Sequence, residues 1–253
     1  MKVCQLATGS KGNSSYFETD KVRFLVDIGL SCAQEERLLA DIGVDADDID
    51  FIFITHTHSD HTAGLKTFTK KHRAKVFLTP PMLRELKFDL PNYEFIGEEL
   101  EVADLGVITF KTSHDVADSN GYVFVHKGRT AVYITDTGYL NKRVFDKITN
   151  RNLYIIESNH DVKMLREGPY PYRLQQRILS DEGHLSNKDT SYYLSQVVGP
   201  KTEKIVLIHL SESNNTPQLA FSCLKETFER ENLKLPEVVI SYQHERTEVY
   251  EVW

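Results

Sequence analysis

Length, composition and charge limit the classes of protein to which the chain can belong. It has 253 residues, 40% of them hydrophobic, which is enough for one sizeable core, so we expect a single domain over residues 1–253. The formal net charge of −7 argues against a protein that binds nucleic acid through a strongly basic surface. No stretch approaches the ~20 apolar residues that a membrane span requires.

The cysteines and the amino terminus indicate the compartment. Cys4, Cys32 and Cys223 are widely spaced and form no Cys-x-x-Cys pair, so we expect reduced core residues and no disulfide framework. The first residues enter a strand-like run directly, without the apolar stretch of a secretory signal. These features predict a cytoplasmic protein without a membrane partner.

Apolar periodicity predicts the order of strands and helices. Short apolar runs predict strands at 2–7, 15–19, 22–27, 51–54, 75–79, 105–112, 121–126 and 130–135. Helical patterns cover 31–43, 61–72, 139–148, 160–166, 171–180, 186–197 and 217–231. Ser186 with Asp189 is typical of a capping box, and Thr216 before Pro217 is typical of a helix start. Strands mixed with helices, without strict alternation, predict an α/β (α+β) fold of two packed sheets with helices outside.

The segment from Gly9 to Ser15, Gly-Ser-Lys-Gly-Asn-Ser-Ser, has two interpretations. Its glycines could form a phosphate-binding loop, but the Gly-Lys-[Ser/Thr] ending of a P-loop is missing. A tight turn between the first two strands is the favoured interpretation.

A dense group of polar residues follows the apolar run 51–54. The stretch 55–61 reads Thr-His-Thr-His-Ser-Asp-His and contains His56, His58, Asp60 and His61. Imidazole and carboxylate groups suit a first-row divalent metal such as zinc. In an extended chain His56 and His58 point to the same side, and Asp60 and His61 come after a turn. Two neighbouring metal ions fit this density of ligands better than one, although a histidine-rich surface loop is the alternative.

The His-x-His-x-Asp-His pattern after an apolar strand resembles the signature of the metallo-β-lactamase fold superfamily, and further motifs extend the resemblance over most of the chain. The resemblance implies a four-layer αββα sandwich in which Asp27 ends a strand and braces the metal loop. It also implies two divalent cations, Zn²⁺ or Mn²⁺. The implied ligands are His56, His58 and His114 for the first cation, Asp60, His61 and His209 for the second, and Asp136 between them.

The spacing of these motifs selects a branch of the superfamily. The implied bridging position is Asp136, whereas the common secreted β-lactamases carry a cysteine there. The chain after His209 is too short for the helical domain of glyoxalase-II-like thioesterases. The segment between Asp136 and His209 is too short for the inserted domain of β-CASP nucleases.

Two polar residues in that segment point to nucleases. Glu157 ends an apolar run and His184 precedes a capped helix. The pair resembles the Glu and His that tRNase Z-type hydrolases place beside the scissile phosphate, and the surrounding sequence is similar to the YycJ/WalJ group, which is associated with 5′-to-3′ exonuclease activity on DNA. Alternatively, Glu157 is a solvent-facing or helix-capping carboxylate, and His184 is a hydrogen-bonding residue at a helix entry. For His160 the sequence leaves open whether it lines the site.

A basic segment follows Glu157. Tyrosines and cations alternate there, which would suit a nucleic-acid backbone and its bases, and a solvated helix face is the rival interpretation. The candidate substrate-binding residues are Lys163, Arg166, Arg173 and Arg177.

These observations predict a dinuclear metal-dependent phosphodiesterase, with 5′-to-3′ exonuclease activity on DNA as the favoured function. The candidate catalytic residues are Asp60, Asp136, Glu157 and His184, the last as the donor of a proton to the leaving oxygen. A phosphodiesterase for a small cyclic or signalling nucleotide is the first alternative, and a regulatory protein without catalysis is the second. The sequence leaves the native metal, the choice between DNA and RNA, and the oligomeric state open.

Overall fold

The computed structural model describes residues 1–243 and 245–252, and two seven-stranded sheets form its centre. The first sheet contains β1 (Lys2–Ala7), β2 (Ser14–Glu18), β3 (Arg23–Val26), β4 (Phe51–Phe53), β5 (Lys75–Leu78), β6 (Tyr93–Phe95) and β14 (Tyr250–Glu251). Its strand order is β14-β1-β2-β3-β4-β5-β6. Strands β3 to β6 run parallel to one another, so their carboxyl ends lie at the same edge.

The second sheet has the same size. It contains β7 (Glu99–Val102), β8 (Leu105–Lys111), β9 (Asn120–His126), β10 (Arg129–Ile134), β11 (Leu153–Glu157), β12 (Lys204–Ile208) and β13 (Glu237–Ile240). Its strand order is β13-β12-β11-β10-β9-β8-β7. Strands β10 to β13 are parallel, and their carboxyl ends again share one edge.

Nine helices in the described part of the chain accompany the sheets. They are α1 (Cys32–Ala40), α2 (Ser59–Thr62), α3 (Leu65–Lys71), α4 (Pro80–Glu85), α5 (Phe145–Ile148), α6 (Val162–Glu167), α7 (Tyr172–Ile178), α8 (Asn187–Val197) and α9 (Pro217–Arg230). None of these helices has the length and apolar character needed to span a bilayer.

Three apolar clusters explain why so many strands are apolar on both faces. In β10, Ala131 and Tyr133 pack in the cluster between the two sheets, whereas Val132 and Ile134 pack in an outer cluster with α5, α8 and α9. The outer face of the first sheet packs in a third cluster with α1, α3 and α4. A strand with both faces covered reads as a continuous apolar run. The predicted four-layer αββα arrangement is therefore confirmed.

The eight strands expected in the first half are present, and their ends shift by no more than a residue or so. The prediction of a single helix at 61–72 is wrong, because two helices, α2 and α3, cover this segment. Gly64 donates its N–H to the Ile28 carbonyl at 3.0 Å, and a Cβ on Gly64 would lie 2.4 Å from the Leu30 carbonyl oxygen. This contact holds the chain against the end of β3 before α3 begins.

Other predicted helices are shorter than expected, and several short elements were missed. The segment 139–148 starts with a 3₁₀ turn at Lys142–Val144, and α1 ends at Ala40 before Gly43, which has a φ of +75°. Helix α4 and strands β6 and β7 lie in a region without clear periodicity; β6 is exposed at all three positions. The capping box at Ser186 and the helix start at Thr216 are both confirmed.

We expect Gly29→Ala to destabilise the fold and to disturb the ligand loop. A Cβ on Gly29 would lie 1.7 Å from the Asp60 carbonyl oxygen and 2.5 Å from the Asn13 backbone nitrogen, so backbone segments would have to separate. Denaturant unfolding should show a loss of about 3 kcal/mol or more, the upper range for overpacking. The control is Gly97→Ala, because nothing lies within 4 Å of a Cβ there. Equal stability of the two variants would contradict this packing.

Candidate active site

Strand ends from both sheets meet at one edge and carry the polar groups of the site. Asp27 follows β3, Asp136 follows β10 and His209 follows β12. All three have left-handed backbone conformations, with φ of 61°, 50° and 56°. Residues other than glycine rarely adopt such conformations, and those that do are concentrated at functional sites. Because four other non-glycine residues share this conformation elsewhere in the described chain, the backbone supports this edge as the candidate site only together with its polar groups.

Asp27 holds the loop that carries the densest group of ligand candidates. Its side chain is completely buried. One oxygen accepts the Thr55 N–H at 2.8 Å, and the other accepts the Thr55 hydroxyl at 2.7 Å and lies 2.8 Å from His61 Nδ1. With Nδ1 held by this carboxylate, the other ring nitrogen of His61, Nε2, faces Asp136 at 3.1 Å. The predicted bracing role of Asp27 agrees with this geometry.

Three histidines form the first group of candidate ligands. His56, His58 and His114 each offer a ring nitrogen, and these nitrogens lie within 4.8 Å of one another. The His58 Nδ1 and His114 Nε2 atoms are 3.2 Å apart, and the other nitrogen of His114 lies 3.2 Å from the Gly183 carbonyl. Burial lowers the pKa values of His56 and His114, which favours the neutral imidazole that can bind a cation.

A second group lies beside the first. Asp60, His61 and His209 offer atoms that also lie within 4.8 Å of one another. The His209 backbone N–H donates to the Thr8 hydroxyl at 2.8 Å, which anchors the end of β12 to the end of β1. His61 Nε2 is 3.7 Å from an Asp60 oxygen.

Asp136 stands between the two groups. One of its oxygens is 3.1 Å from His61 Nε2, and the other is 3.9 Å from His114 Nε2 and 3.7 Å from His209 Nδ1. Burial raises the pKa of Asp136, but the neighbouring His209 and His61 outweigh it and hold that pKa well below its ordinary value. An ionised carboxylate between two groups of imidazoles has the position that a bridging ligand requires.

The residues present fit divalent cations. The Nε2 atoms of His56 and His209 are both buried and have no hydrogen-bond partner in the described part of the chain. A buried nitrogen without a partner is destabilising, whereas coordination to a cation would satisfy it. The two nitrogens belong to different groups, one on each side of Asp136. The mixed nitrogen and oxygen donors are those that zinc and manganese accept.

Glu157 and His184 form a pair next to these groups. Glu157 is completely buried; one oxygen accepts the Thr137 N–H at 2.7 Å, and the other lies 3.0 Å from His184 Nδ1. Burial lowers the pKa of His184, but the charges of Glu157 and Asp136 and the hydrogen bond to Glu157 raise it to about 8. His184 Nδ1 is also 3.5 Å from Asp136. A histidine whose protonated form is favoured by two neighbouring carboxylates can donate a proton.

The structure adds two residues that the sequence analysis did not select. Asp115 has an oxygen 3.5 Å from His114 Nε2 and 3.8 Å from His58 Nε2. Asn13 Nδ2 is 2.9 Å from His61 Nε2. The signal for Asp115 was its place directly after His114. Asn13 belongs to the Gly9–Ser15 segment, which forms the expected turn.

The basic segment divides into two parts. Arg177 reaches the site, because its guanidinium binds Asp115 through two contacts of 2.6 and 3.0 Å. Lys163, Arg166 and Arg173 are exposed on α6 and α7 and form no ion pair with a described residue.

His160, whose place the sequence left open, is an interior residue. Its burial lowers its pKa to about 4.

Sequence comparison places the chain among proteins of known family. A family model described as a beta-lactamase superfamily domain matches residues 22–210. The chain is 39% identical to exodeoxyribonuclease WalJ of Streptococcus pneumoniae over 228 residues, which cover 87% of this chain and 85% of that protein.

Solved structures share the fold at low sequence identity. The metallo-beta-lactamase fold protein YhfI from Bacillus subtilis superimposes with a TM-score of 0.73 and 17% identity, over 97% of this chain and 98% of that one. The short form of human tRNase Z superimposes with a TM-score of 0.66 and 15% identity, over 99% and 100% of the two chains. The resemblance inferred from the motifs is confirmed: the chain has the metallo-β-lactamase fold and belongs to the beta-lactamase superfamily, with WalJ among its relatives.

Proposed function

We propose that this protein is a metal-dependent phosphodiesterase that removes nucleotides from DNA in the 5′-to-3′ direction. One observation carries the proposal: two groups of imidazole and carboxylate ligands flank the buried carboxylate of Asp136, and each group contains a buried imidazole nitrogen without a described partner. The relative WalJ, which carries the name exodeoxyribonuclease, supports DNA as the substrate.

The proposed centre holds two divalent cations, Zn²⁺ or Mn²⁺. When bound, such cations supply Lewis-acid stabilisation of phosphoryl oxygens and activate water as the nucleophile. The ligands would be His56, His58 and His114 for one cation, Asp60, His61 and His209 for the other, and Asp136 for both. Asp27 orients His61, and the Gly183 carbonyl orients His114. In both imidazoles the protein holds Nδ1, which leaves Nε2 for the cation.

His184 is the proposed donor of a proton to the leaving oxygen. Its Nδ1 is directed to Glu157, which leaves Nε2 as the atom available to the substrate. Glu157 accepts two backbone N–H groups as well, and these contacts fix its position. Glu157 thus acts as a positioning residue that orients His184 and favours its protonated form.

The proposed contacts to the DNA backbone come from α6 and α7. Arg177 binds Asp115, which lies beside the ligand groups. Lys163, Arg166 and Arg173 are exposed on the same two helices. Exposed cations attract phosphates and would give a salt-dependent affinity.

We place the activity in the cytoplasm, which is supported by the three free cysteines of the chain.

End-labelled DNA tests the proposed function. The purified protein, supplied with Mn²⁺ or Zn²⁺, should release mononucleotides from the 5′ end, so a 5′ label should appear at once in the smallest product. A 3′ label should remain in strands that shorten gradually. Asp136→Asn, which keeps the size of the side chain but removes its charge, should lose this activity. If the DNA ends stay intact but a cyclic nucleotide is cleaved efficiently, the small-molecule alternative is favoured. If neither substrate is cleaved, a regulatory protein is favoured.

A second experiment tests the role of His184. His184→Ala should lower turnover on DNA by roughly 10²–10⁴, the usual contribution of a general acid. The loss should be much smaller with bis-p-nitrophenyl phosphate, because p-nitrophenolate leaves without a proton. Cation content should equal that of the wild type. If both substrates lose the same factor, His184 binds phosphate or holds the site together and does not deliver a proton.

A further inference from the structure

A cavity next to the proposed cation site is not used by the residues assigned so far. Its volume is about 410 Å³, within the range of small-molecule sites in proteins. Two of the lining residues, Leu210 and Ser211, directly follow His209 in the chain. The lining also includes Ser241, Tyr242, Gln243 and Glu245.

Strand register explains why this cavity adjoins the site. Strands β12 and β13 are parallel, with Leu207 opposite Ile240, and the Ser241 N–H donates to the Leu207 carbonyl at 2.9 Å. Neighbouring strands lie about 4.8 Å apart. His209 and Tyr242 therefore leave adjacent strands at the same edge. The parallel strands β10, β11, β12 and β13 present Asp136, Glu157, His209 and Tyr242 in spatial order.

Two residues that line the cavity carry buried polar atoms whose hydrogen bonds are unmade. Ser241 is 2% exposed, and its hydroxyl has no partner in the described part of the chain. The Gln243 Nε2 atom is also buried and without a partner among residues 1–243 and 245–252. Gln243 packs against Gly9, where a Cβ would lie 3.0 Å from Gln243 Oε1. A buried polar group without a partner is destabilising, so a ligand that bonded to these two atoms would gain stability from them.

Tyr242 supplies an aromatic surface. The side chain is 52% exposed although its neighbour Ser241 is buried. Large exposed aromatic side chains beside nucleic-acid sites act as stacking platforms, because every base has a π-face. A tyrosine next to unpartnered hydrogen-bonding groups is the combination that binds a planar, polar ligand.

Charge decides which part of a nucleotide fits this cavity. Glu212 and Glu245 line it, and none of the described lining residues is a lysine or an arginine. Glu212 binds Lys11 at 3.0 Å, which holds the loop after β12 to the turn after β1. Lys11 balances the charge of Glu212, so the repulsion of phosphate comes mainly from Glu245. Carboxylates also accept hydrogen bonds from exocyclic amines of bases. The cavity therefore suits a base and not a phosphate.

We propose that this cavity is a subsite for one nucleobase of the substrate strand, next to the scissile phosphodiester. The base stacks on Tyr242 and makes hydrogen bonds with Ser241 and Gln243. The inference rests on the proposed function, since it identifies the neighbouring centre as one that acts on DNA. It explains how an acidic chain can hold a DNA end beside the cations.

Binding of single-stranded DNA tests this subsite separately from cleavage. With cation-free protein and a 3′-fluorescent oligonucleotide, Tyr242→Ala should weaken affinity about 5- to 100-fold, the range for loss of one stacked base. Tyr242→Phe should retain most of the affinity. The matched control is Tyr192→Ala, because Tyr192 has a similar exposure of 50% but lies on α8 outside the cavity.

Abasic oligonucleotides identify the ligand. An abasic nucleotide at the first or the second position from the 5′ end should weaken binding to the wild type by the same factor, and Tyr242→Ala should cause no further loss with that oligonucleotide. Equal affinities of wild type and Tyr242→Ala, or full additivity of the two losses, would overturn the subsite. If binding behaves as expected but no DNA is cleaved with cations present, the subsite stands and the proposed function fails.

Discussion

The buried carboxylate of Asp27 is the contact on which the candidate site depends. It joins the end of β3 to the loop after β4 by accepting both the N–H and the hydroxyl of Thr55. The same carboxylate orients His61. Strand β9 fixes the same loop to the second sheet, because the Asn120 N–H donates to the Thr55 carbonyl at 2.9 Å. The buried carboxylate thus joins two strand ends and sets the orientation of one of the candidate ligands.

The site also concentrates strain and charge. Asp27, Asp136 and His209 have left-handed backbones, and two buried imidazole nitrogens lack described partners. Each feature is unfavourable by roughly 1–3 kcal/mol when nothing compensates it. Bound cations would satisfy those nitrogens and balance the carboxylates of the site. The fold stabilises the arrangement through the three apolar clusters, which pack both faces of each sheet.

The sequence was informative where the signal is local. Four ligand candidates lie within 55–61, and apolar runs mark the strands that present Asp136 and His209. Features that depend on contacts between distant segments could not be predicted from periodicity. The approach of Asn13 to His61 requires the turn after β1 to pack on the ligand loop. The cavity at Tyr242 requires the parallel register of β12 and β13. The break between α2 and α3 follows from backbone contacts of Gly64, which no helical pattern encodes.

The central claim is that Asp136 lies between two cations, and anomalous diffraction from crystals grown with Mn²⁺ or Zn²⁺ tests it most directly. Data collected at the absorption edge of the metal should show two peaks per chain. One peak should lie at His56, His58 and His114, the other at Asp60, His61 and His209, and an oxygen of Asp136 should contact each. A single peak, or two peaks with Asp136 in contact with neither, would contradict the account.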